Sequence, residues 1–117
     1  MTAKEVNFSV FCPALKCNVV LFHKTWVEHI IMAHPIMKTR LDAVRKAIQS
    51  CRTTADIFHK TKNPHQISIH WKCSDFEPFN RYLRVAVILK EKGKYGIITS
   101  AYPVDNLPQK ESKRYEH

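Results

Sequence analysis

Two histidines near the end of a predicted helix are the side chains best placed for acid–base chemistry. His29 and His34 lie five residues apart, which separates them by about 140° around an ideal helix. They are therefore not a same-face pair of metal ligands. A histidine exchanges its proton near neutral pH, so either one can act as a general acid or base. The structural alternative is that His29 packs or caps, while His34 is a cation favoured by the helix dipole.

A single arginine interrupts the strongest strand pattern of the chain. Arg84 lies within the run 83–89, Leu-Arg-Val-Ala-Val-Ile-Leu, which is rich in β-branched residues. The alternation points the four residues at positions 83, 85, 87 and 89 toward the helices and places Arg84 on the open face of the sheet. A guanidinium there can pair with a phosphate. The structural alternative is a rim arginine that extends past the sheet edge.

The turn between the last two predicted strands determines what lies opposite Arg84. A two-residue loop at Lys92–Gly93, or a four-residue loop, pairs Lys90 with Tyr95. This register places Arg84 opposite Ala101.

Two further polar side chains of the predicted strands are candidates for the site. In the same register Ala86 faces Thr99, so Thr99 becomes a diagonal neighbour of Arg84 on one face. His70 belongs to the polar face of its own strand, where an exposed histidine without a special role is the simpler interpretation.

Several function classes are excluded by what the sequence lacks. The only glycines are Gly93 and Gly96, so glycine-rich phosphate loops and dinucleotide-binding turns are excluded. The four cysteines are irregularly spaced and include no Cys-x-x-Cys pair, so we expect buried thiols, no metal and no cofactor. Acidic residues are not clustered, which disfavours a two-metal nuclease.

The charge balance indicates a polyanionic partner. The chain of 117 residues has 19 Lys and Arg against 10 Asp and Glu, a net charge of +9. Such an excess attracts nucleic acids, and we expect RNA before DNA. The cations are spread along the chain, so a binding face has to be assembled by folding. The alternative is a basic protein without a specific partner.

The first half of the chain predicts two strands followed by two helices. Strands are expected over Val6–Phe11 and Val19–Phe22. A capping box, Thr25-Trp-Val-Glu28, predicts a helix that starts at residue 26 and ends near His34, because the following proline disfavours helical angles there. A second helix is expected from about Thr39 to Cys51, with apolar residues recurring at steps of three and four.

The second half predicts about four strands in a meander, so the fold class is α+β. We expect two N-terminal helices packed on one face of an antiparallel sheet of four or more strands. We expect residues 1–107 to form one domain and residues 108–117 to form a charged, mobile tail. No run approaches the ~20 apolar residues that span a bilayer. A soluble, cytoplasmic protein without membrane contact is the expectation.

Two motifs resemble those of a known family. Trp26-Val-Glu-His29-Ile-Ile-Met-Ala-His34-Pro35 resembles a W-x-x-H-I-x-x-x-H-P block, and Gly96-Ile-Ile-Thr-Ser-Ala-Tyr102 resembles a G-x-I-T-A-Y strand with one residue inserted. Over roughly residues 20 to 105 the arrangement is similar to the phage-associated nucleases of the barnase–EndoU–colicin–RelE-like (BECR) superfamily. The insertion leaves open whether Thr99 or Ser100 takes the family's hydroxyl position.

This resemblance implies a metal-independent ribonuclease, either a toxin module or a stand-alone relative. The 2′-hydroxyl of the RNA would attack the adjacent phosphorus and leave a 2′,3′-cyclic phosphate. The implied catalytic residues are His29 or His34 as acid and base, Arg84 for the phosphate charge, and Thr99 as a hydroxyl donor. The expected RNA-binding side chains are Lys60, Lys62, His70, Lys72, Arg81 and Tyr102.

Other interpretations stay open at this point. A toxin of this kind would have a cognate inhibitor protein as a second partner. The runner-up function is a non-catalytic RNA-binding domain of the same fold, and the third is a basic protein-interaction module. A fold alone does not decide among them, so the arrangement of the site has to.

Overall fold

A seven-stranded sheet organises the fold. The computed structural model describes residues 5–53, 57–60, 63–76, 81–107 and 112–114. Its strands are β1 (Val6–Cys12), β2 (Cys17–Phe22), β3 (Ile57–Lys60), β4 (Asn63–Lys72), β5 (Tyr82–Lys90), β6 (Tyr95–Val104) and β7 (Ser112–Arg114). They lie in the order β1-β2-β6-β5-β4-β3-β7. The predicted α+β class and the four-strand meander, β3 to β6, are confirmed.

The sheet is mixed, so the predicted purely antiparallel sheet is wrong. β2 pairs with β6 in parallel, with Val19 opposite Gly96, and the other pairs are antiparallel. A Cβ atom at Gly96 would lie 2.7 Å from Cγ1 of Val87 and 3.4 Å from Cγ2 of Val19. Because Gly96 has no side chain, Val87 and Val19 can pack closely over the point where β2 pairs with β6.

The first helix follows β2 without an intervening loop. It begins as α1 (His23–Thr25), continues as a π-helical segment (Trp26–Ile31) and ends at residue 33. The predicted capping box is wrong, because Thr25 is already helical at φ −62° and ψ −43° and its side chain makes no cap hydrogen bond. The helix thus lies after two strands and not at the N-terminus. The first helix contacts β6. Only the first part of β6 pairs with β2, and the strand continues beyond that pairing.

The second helix packs one apolar stripe against the sheet. A 3-10 turn (Pro35–Thr39) leads into α2 (Leu41–Gln49), which is shorter than the predicted helix of about residues 39 to 51. Val44 and Ile48 are fully buried, as the periodicity predicted. The helix contacts β1, β4 and β5. Burying such a stripe stabilises a short helix more than its intrinsic propensity does.

The two faces of β5 differ sharply in burial. Leu83, Val85, Val87 and Leu89 point into the core with α2, as predicted. Arg84 and its alternate neighbours lie on the opposite side, here called the Arg84 face. On β5 and β6 this face consists of Arg84, Ala86, Ile88, Lys90, Tyr95, Ile97, Ser100 and Tyr102, which are half-buried or exposed.

Three residues of the predicted tail are part of the sheet. Ser112–Arg114 forms β7, which pairs with β3. Residues 108–111 and 115–117 lie outside the described part of the chain, so the predicted mobility of the tail stays a prediction. In the described residues, no helix is both long and apolar enough to cross a membrane.

Candidate active site

Three side chains from three neighbouring strands form one row on the Arg84 face. His70 of β4 lies directly opposite Arg84 of β5, and Arg84 lies directly opposite Tyr102 of β6. Directly paired residues point to the same side of a sheet, with Cβ atoms roughly 5 Å apart. The row therefore brings an imidazole, a guanidinium and a phenol together.

The guanidinium and the phenol are joined by a hydrogen bond. Nη1 of Arg84 donates to Oη of Tyr102 at 2.8 Å, and the guanidinium carbon lies 5.2 Å from the centre of the tyrosine ring. Both side chains are half-buried, which weakens competition from water. This contact holds Arg84 in place, and among the described residues it is the hydrogen bond that the guanidinium makes. The other donors of the guanidinium can then bind an anion.

His34 completes the group from the end of the first helix. Its ring stacks on Tyr102, with ring centres 4.7 Å apart and planes inclined by 21°. The backbone of His34 leaves the helix at φ −138° and ψ 80°, and Pro35 follows. A residue before proline is disfavoured in the helical region. The helix thus ends where His34 can reach over β6, and the four side chains His34, His70, Arg84 and Tyr102 are here called the Arg84 cluster.

His70 is the buried member of the Arg84 cluster. Its side chain is 2% exposed, and its ring meets Phe58 edge-on at 5.2 Å. Its Nδ1 atom is buried, and no described residue forms a hydrogen bond with it. Burial, and then the positive charge of Arg84, lower the pKa of His70 to about 4. The expectation that His70 is exposed is wrong, and at neutral pH its ring is uncharged.

A β-bulge in β6 corrects the predicted register. Lys90 pairs with Tyr95 as predicted, but Ala86 lies opposite Ser100 and Val87 opposite Ile98. Thr99 is the extra residue between them. As a consequence Arg84 faces Tyr102, so the predicted partner, Ala101, is wrong; Ala101 instead lies in the core.

The same bulge separates the two hydroxyl residues that the family motif left ambiguous. Thr99 is exposed and its hydroxyl donates to the carbonyl of Ala86 at 3.4 Å. Ser100 lies on the Arg84 face, two residues before Tyr102 along β6. Thr99 is therefore not the diagonal neighbour of Arg84 that the regular register predicted, and Ser100 occupies that side of the strand.

The remaining predicted site residues lie either outside the Arg84 cluster or outside the described part of the chain. His29 is exposed in the π-helical segment, and within the described residues it makes none of the contacts that hold the Arg84 cluster. Lys72 and Arg81 are exposed where β4 ends and β5 begins, beside the row. The side chains of Lys60 and Lys62 lie outside the described part of the chain.

A surface groove lies apart from the Arg84 cluster. It has a volume of about 290 Å³ and is lined by Glu5, His23, Lys24, Val27 and Glu28. Its two carboxylates make it a poor site for a phosphate. Over the part of the chain that the structure describes, no three His, Cys, Asp or Glu side chains converge as a metal site would require.

Sequence reasoning placed Tyr102 among RNA-binding residues and missed that it joins Arg84 to His34. The burial pattern of β6, which the sequence alone does not give, shows why. Gly96 and Ile98 are buried two residues apart, whereas Ala101 follows Ile98 by three. A break from period two to period three within an apolar strand indicates a bulge, and a bulge reverses the side to which every later residue points.

Comparisons of the chain with known proteins give no match. No family model matches the chain, and neither a curated protein nor a solved structure matches it significantly. The Arg84 cluster, the charge of the chain and the motifs of its sequence therefore indicate its function.

The buried imidazole predicts a specific loss of stability in acid. The pKa of His70 is about 4 in the folded state against 6.5 ordinarily, so the unfolded chain takes up a proton first as pH falls. His70 therefore destabilises the fold progressively from about pH 6.5 down to about pH 4, by on the order of 3 kcal/mol. Chemical denaturation should show that a His70→Gln variant loses less stability across this window than the wild type.

His65 supplies the matched control, since it is exposed on the same strand. A His65→Gln variant should follow the wild-type stability curve between pH 7 and pH 4. If His70→Gln and the wild type lose the same free energy of unfolding over that range, His70 is not a buried neutral base in the fold.

Proposed function

We propose that this protein is a metal-independent endoribonuclease whose active site is the Arg84 cluster. Two contacts of Tyr102 together support this proposal. His34 stacks on the ring of Tyr102, and Arg84 donates a hydrogen bond to its hydroxyl oxygen. A proton-transfer group and a phosphate-binding cation thus lie on one partly exposed face of a chain with net charge +9.

The chemistry follows from the chemical types of these side chains. His34 takes the proton of the ribose 2′-hydroxyl while the 2′-oxygen forms a bond to phosphorus. Arg84 donates hydrogen bonds to the phosphoryl oxygens, where negative charge builds up. The bond from phosphorus to the 5′-oxygen then breaks, which leaves a 2′,3′-cyclic phosphate and a 5′-hydroxyl product.

Tyr102 is suited to protonate the leaving oxygen. Its oxygen accepts a hydrogen bond from Arg84, so its own O–H is directed toward a different acceptor. A tyrosine in this position can give its proton to the 5′-oxygen as the bond breaks. Afterwards Tyr102 takes up a proton from solvent, and His34 releases to solvent the proton that it took from the 2′-hydroxyl. His34 and Tyr102 divide the two proton transfers. His70 takes neither, because its ring is buried and its lowered pKa of about 4 makes it a weak proton acceptor.

The order of the elements supports extending this proposal to the BECR family. The chain runs through two strands, two helices and a four-strand meander. This order fits the BECR family, whose motifs the histidine–proline block and the last strand resemble. We therefore extend the proposal to a BECR fold, to RNA in the cytoplasm as the substrate and, if the protein acts as a toxin, to a cognate inhibitor.

A non-catalytic RNA-binding domain is the second candidate. The observation that favours it is the position of two residues expected to be catalytic. His29 is exposed outside the Arg84 cluster, and Thr99 is bound to the carbonyl of Ala86 in the bulge. A domain that lost cleavage would still keep Arg84 and its charge for binding, so an activity measurement separates the two candidates.

Cleavage is expected to be independent of metal ions. The attacking oxygen belongs to the RNA, and the proton acceptor and donor belong to the protein. End-labelled single-stranded RNA incubated with the protein in EDTA should give fragments that end in a 2′,3′-cyclic phosphate. RNA with a 2′-deoxy sugar at the cut position should resist, because it has no attacking hydroxyl. Fragments that end in a 3′-hydroxyl, or activity that chelation abolishes and magnesium restores, would contradict this mechanism.

The two histidines of the first helix should differ in importance. His34→Ala should lower kcat/KM by roughly 10²- to 10⁴-fold, the usual contribution of a positioned proton-transfer group. His29→Ala is the matched control on the same helix, and it should retain nearly the wild-type rate because this side chain is exposed away from Tyr102.

Both variants should be measured as turnover per folded molecule, with melting temperatures taken on the same preparations. A large loss in His29→Ala with little loss in His34→Ala would assign the chemistry to the other histidine and overturn the proposed site.

A further inference from the structure

A second row of side chains crosses the Arg84 face at the opposite end of the sheet. Phe11 of β1 lies opposite Asn18 of β2, Asn18 lies opposite Tyr95 of β6, and Tyr95 lies opposite Lys90 of β5. The four residues therefore form one line across four neighbouring strands, here called the Phe11 row. Directly paired residues share a face, so the Phe11 row lies on the same side as Arg84.

The Phe11 row is accessible. The side chain of Phe11 is 54% exposed, Asn18 and Lys90 are exposed, and Tyr95 is half-buried. The chain neighbours Cys12 and Cys17 point to the other side and are buried. Packing in the core therefore accounts for the cysteines and not for the phenylalanine, whose ring is largely left in water.

Positive charge continues beyond the end of the Phe11 row. Lys92 and Lys94 are exposed in the turn that joins β5 to β6, and Lys16 is exposed in the turn before β2. Glu91 is the acidic residue in these two turns. In the described part of the chain none of these lysines forms an ion pair within 4 Å. Their charges are thus available to a polyanion.

The Phe11 row and the Arg84 cluster lie at two ends of one surface. Lys90 is six residues from Arg84 along β5, which corresponds to about 20 Å of extended strand. Between them Ile88 and Ile97 face each other across the strands and are half-buried. A polymer that reaches both ends must run along this face and must be longer than a single nucleotide.

We propose that the Phe11 row is a binding subsite for unpaired nucleotides of single-stranded RNA. Phe11 and Tyr95 stack on bases, the Asn18 amide hydrogen-bonds a base edge, and Lys90 pairs with backbone phosphate. Aromatic side chains on a sheet surface bind unpaired bases in this way, since every base presents a π-face. The inference deepens the proposed function, because it defines the substrate as single-stranded RNA that extends beyond the cut position.

An anionic membrane is the rival partner for an exposed phenylalanine beside lysines. The polar Asn18 between the two aromatic residues favours RNA, because an amide has donors and acceptors for a base edge but gains nothing in contact with lipid chains. The line of alternating aromatic and polar groups also matches the repeating base and phosphate of a nucleic acid.

The test measures binding without cleavage. The probe is a fluorescent single-stranded RNA of about 12 nucleotides with 2′-O-methyl sugars, which have no hydroxyl to attack the phosphorus. Fluorescence anisotropy should show that Phe11→Ala raises Kd roughly tenfold, while Phe11→Tyr restores most of the affinity. A duplex of the same sequence should bind less tightly and should not respond to Phe11→Ala, because its bases are already stacked and paired.

A pair of lysine variants tests the charge. Lys90→Gln should raise Kd and reduce the slope of log K against log salt by about 0.7, the value for one phosphate contact on a single strand. Lys38→Gln removes the same charge from an exposed residue of the 3-10 turn before α2, and it should change Kd and slope much less. Melting temperatures of all variants should equal that of the wild type, since the replaced side chains are exposed.

Each outcome either supports the subsite or overturns it. Equal Kd for Phe11→Ala and the wild type, equal effects of Lys90→Gln and Lys38→Gln, or no RNA binding by the wild type would overturn it. Binding to phosphatidylserine vesicles that Phe11→Ala abolishes, with RNA binding unchanged, would assign the row to a membrane instead. If these binding results hold but natural RNA stays intact in the cleavage assay, the proposed nuclease fails and the RNA-binding row stands.

Discussion

The hydrogen bond from Arg84 to Tyr102 is the interaction on which the candidate site depends. It holds a guanidinium beside the ring on which His34 stacks, and it exists because a single extra residue, Thr99, is accommodated in β6. In a regular strand Arg84 would face Ala101 and Tyr102 would point into the core. The bulge lets Ile98 and Ala101 both remain fully buried and turns Tyr102 to the side of Arg84. The packing of the core thus positions the site.

Much of the fold could be predicted from the sequence because it depends on local periodicity. The alternation in residues 83–89, the turn that pairs Lys90 with Tyr95 and the apolar stripe of Val44 and Ile48 are all confirmed. The capping box failed because a cap contributes only about 1 kcal/mol, and here the helix continues directly from β2. The parallel pairing of β2 with β6 was missed because it joins segments that are far apart in the chain.

The candidate site could be predicted in part for the same reason. Residue types and the parity of the strands placed Arg84 and His70 on one side of the sheet. The alternation of residues in a strand predicts the side to which His70 points but not what covers that side. The burial of His70 against Phe58 was therefore not predicted. The Phe11 row was also missed, because its four members come from four strands and only the sheet order brings them into one line.

The central claim is that Arg84 and Tyr102 act as one unit in cleavage. The most direct measurement is kcat/KM on single-stranded RNA for the wild type, Arg84→Lys, Tyr102→Phe and the double variant. A lysine cannot reproduce the fork of the guanidinium, and a phenylalanine can neither accept its hydrogen bond nor give up a proton. If the two side chains act together, the loss of the double variant should be at least about fivefold smaller than the product of the two single losses, a coupling of about 1 kcal/mol. Losses that simply multiply would show that the two side chains act independently and would contradict the account.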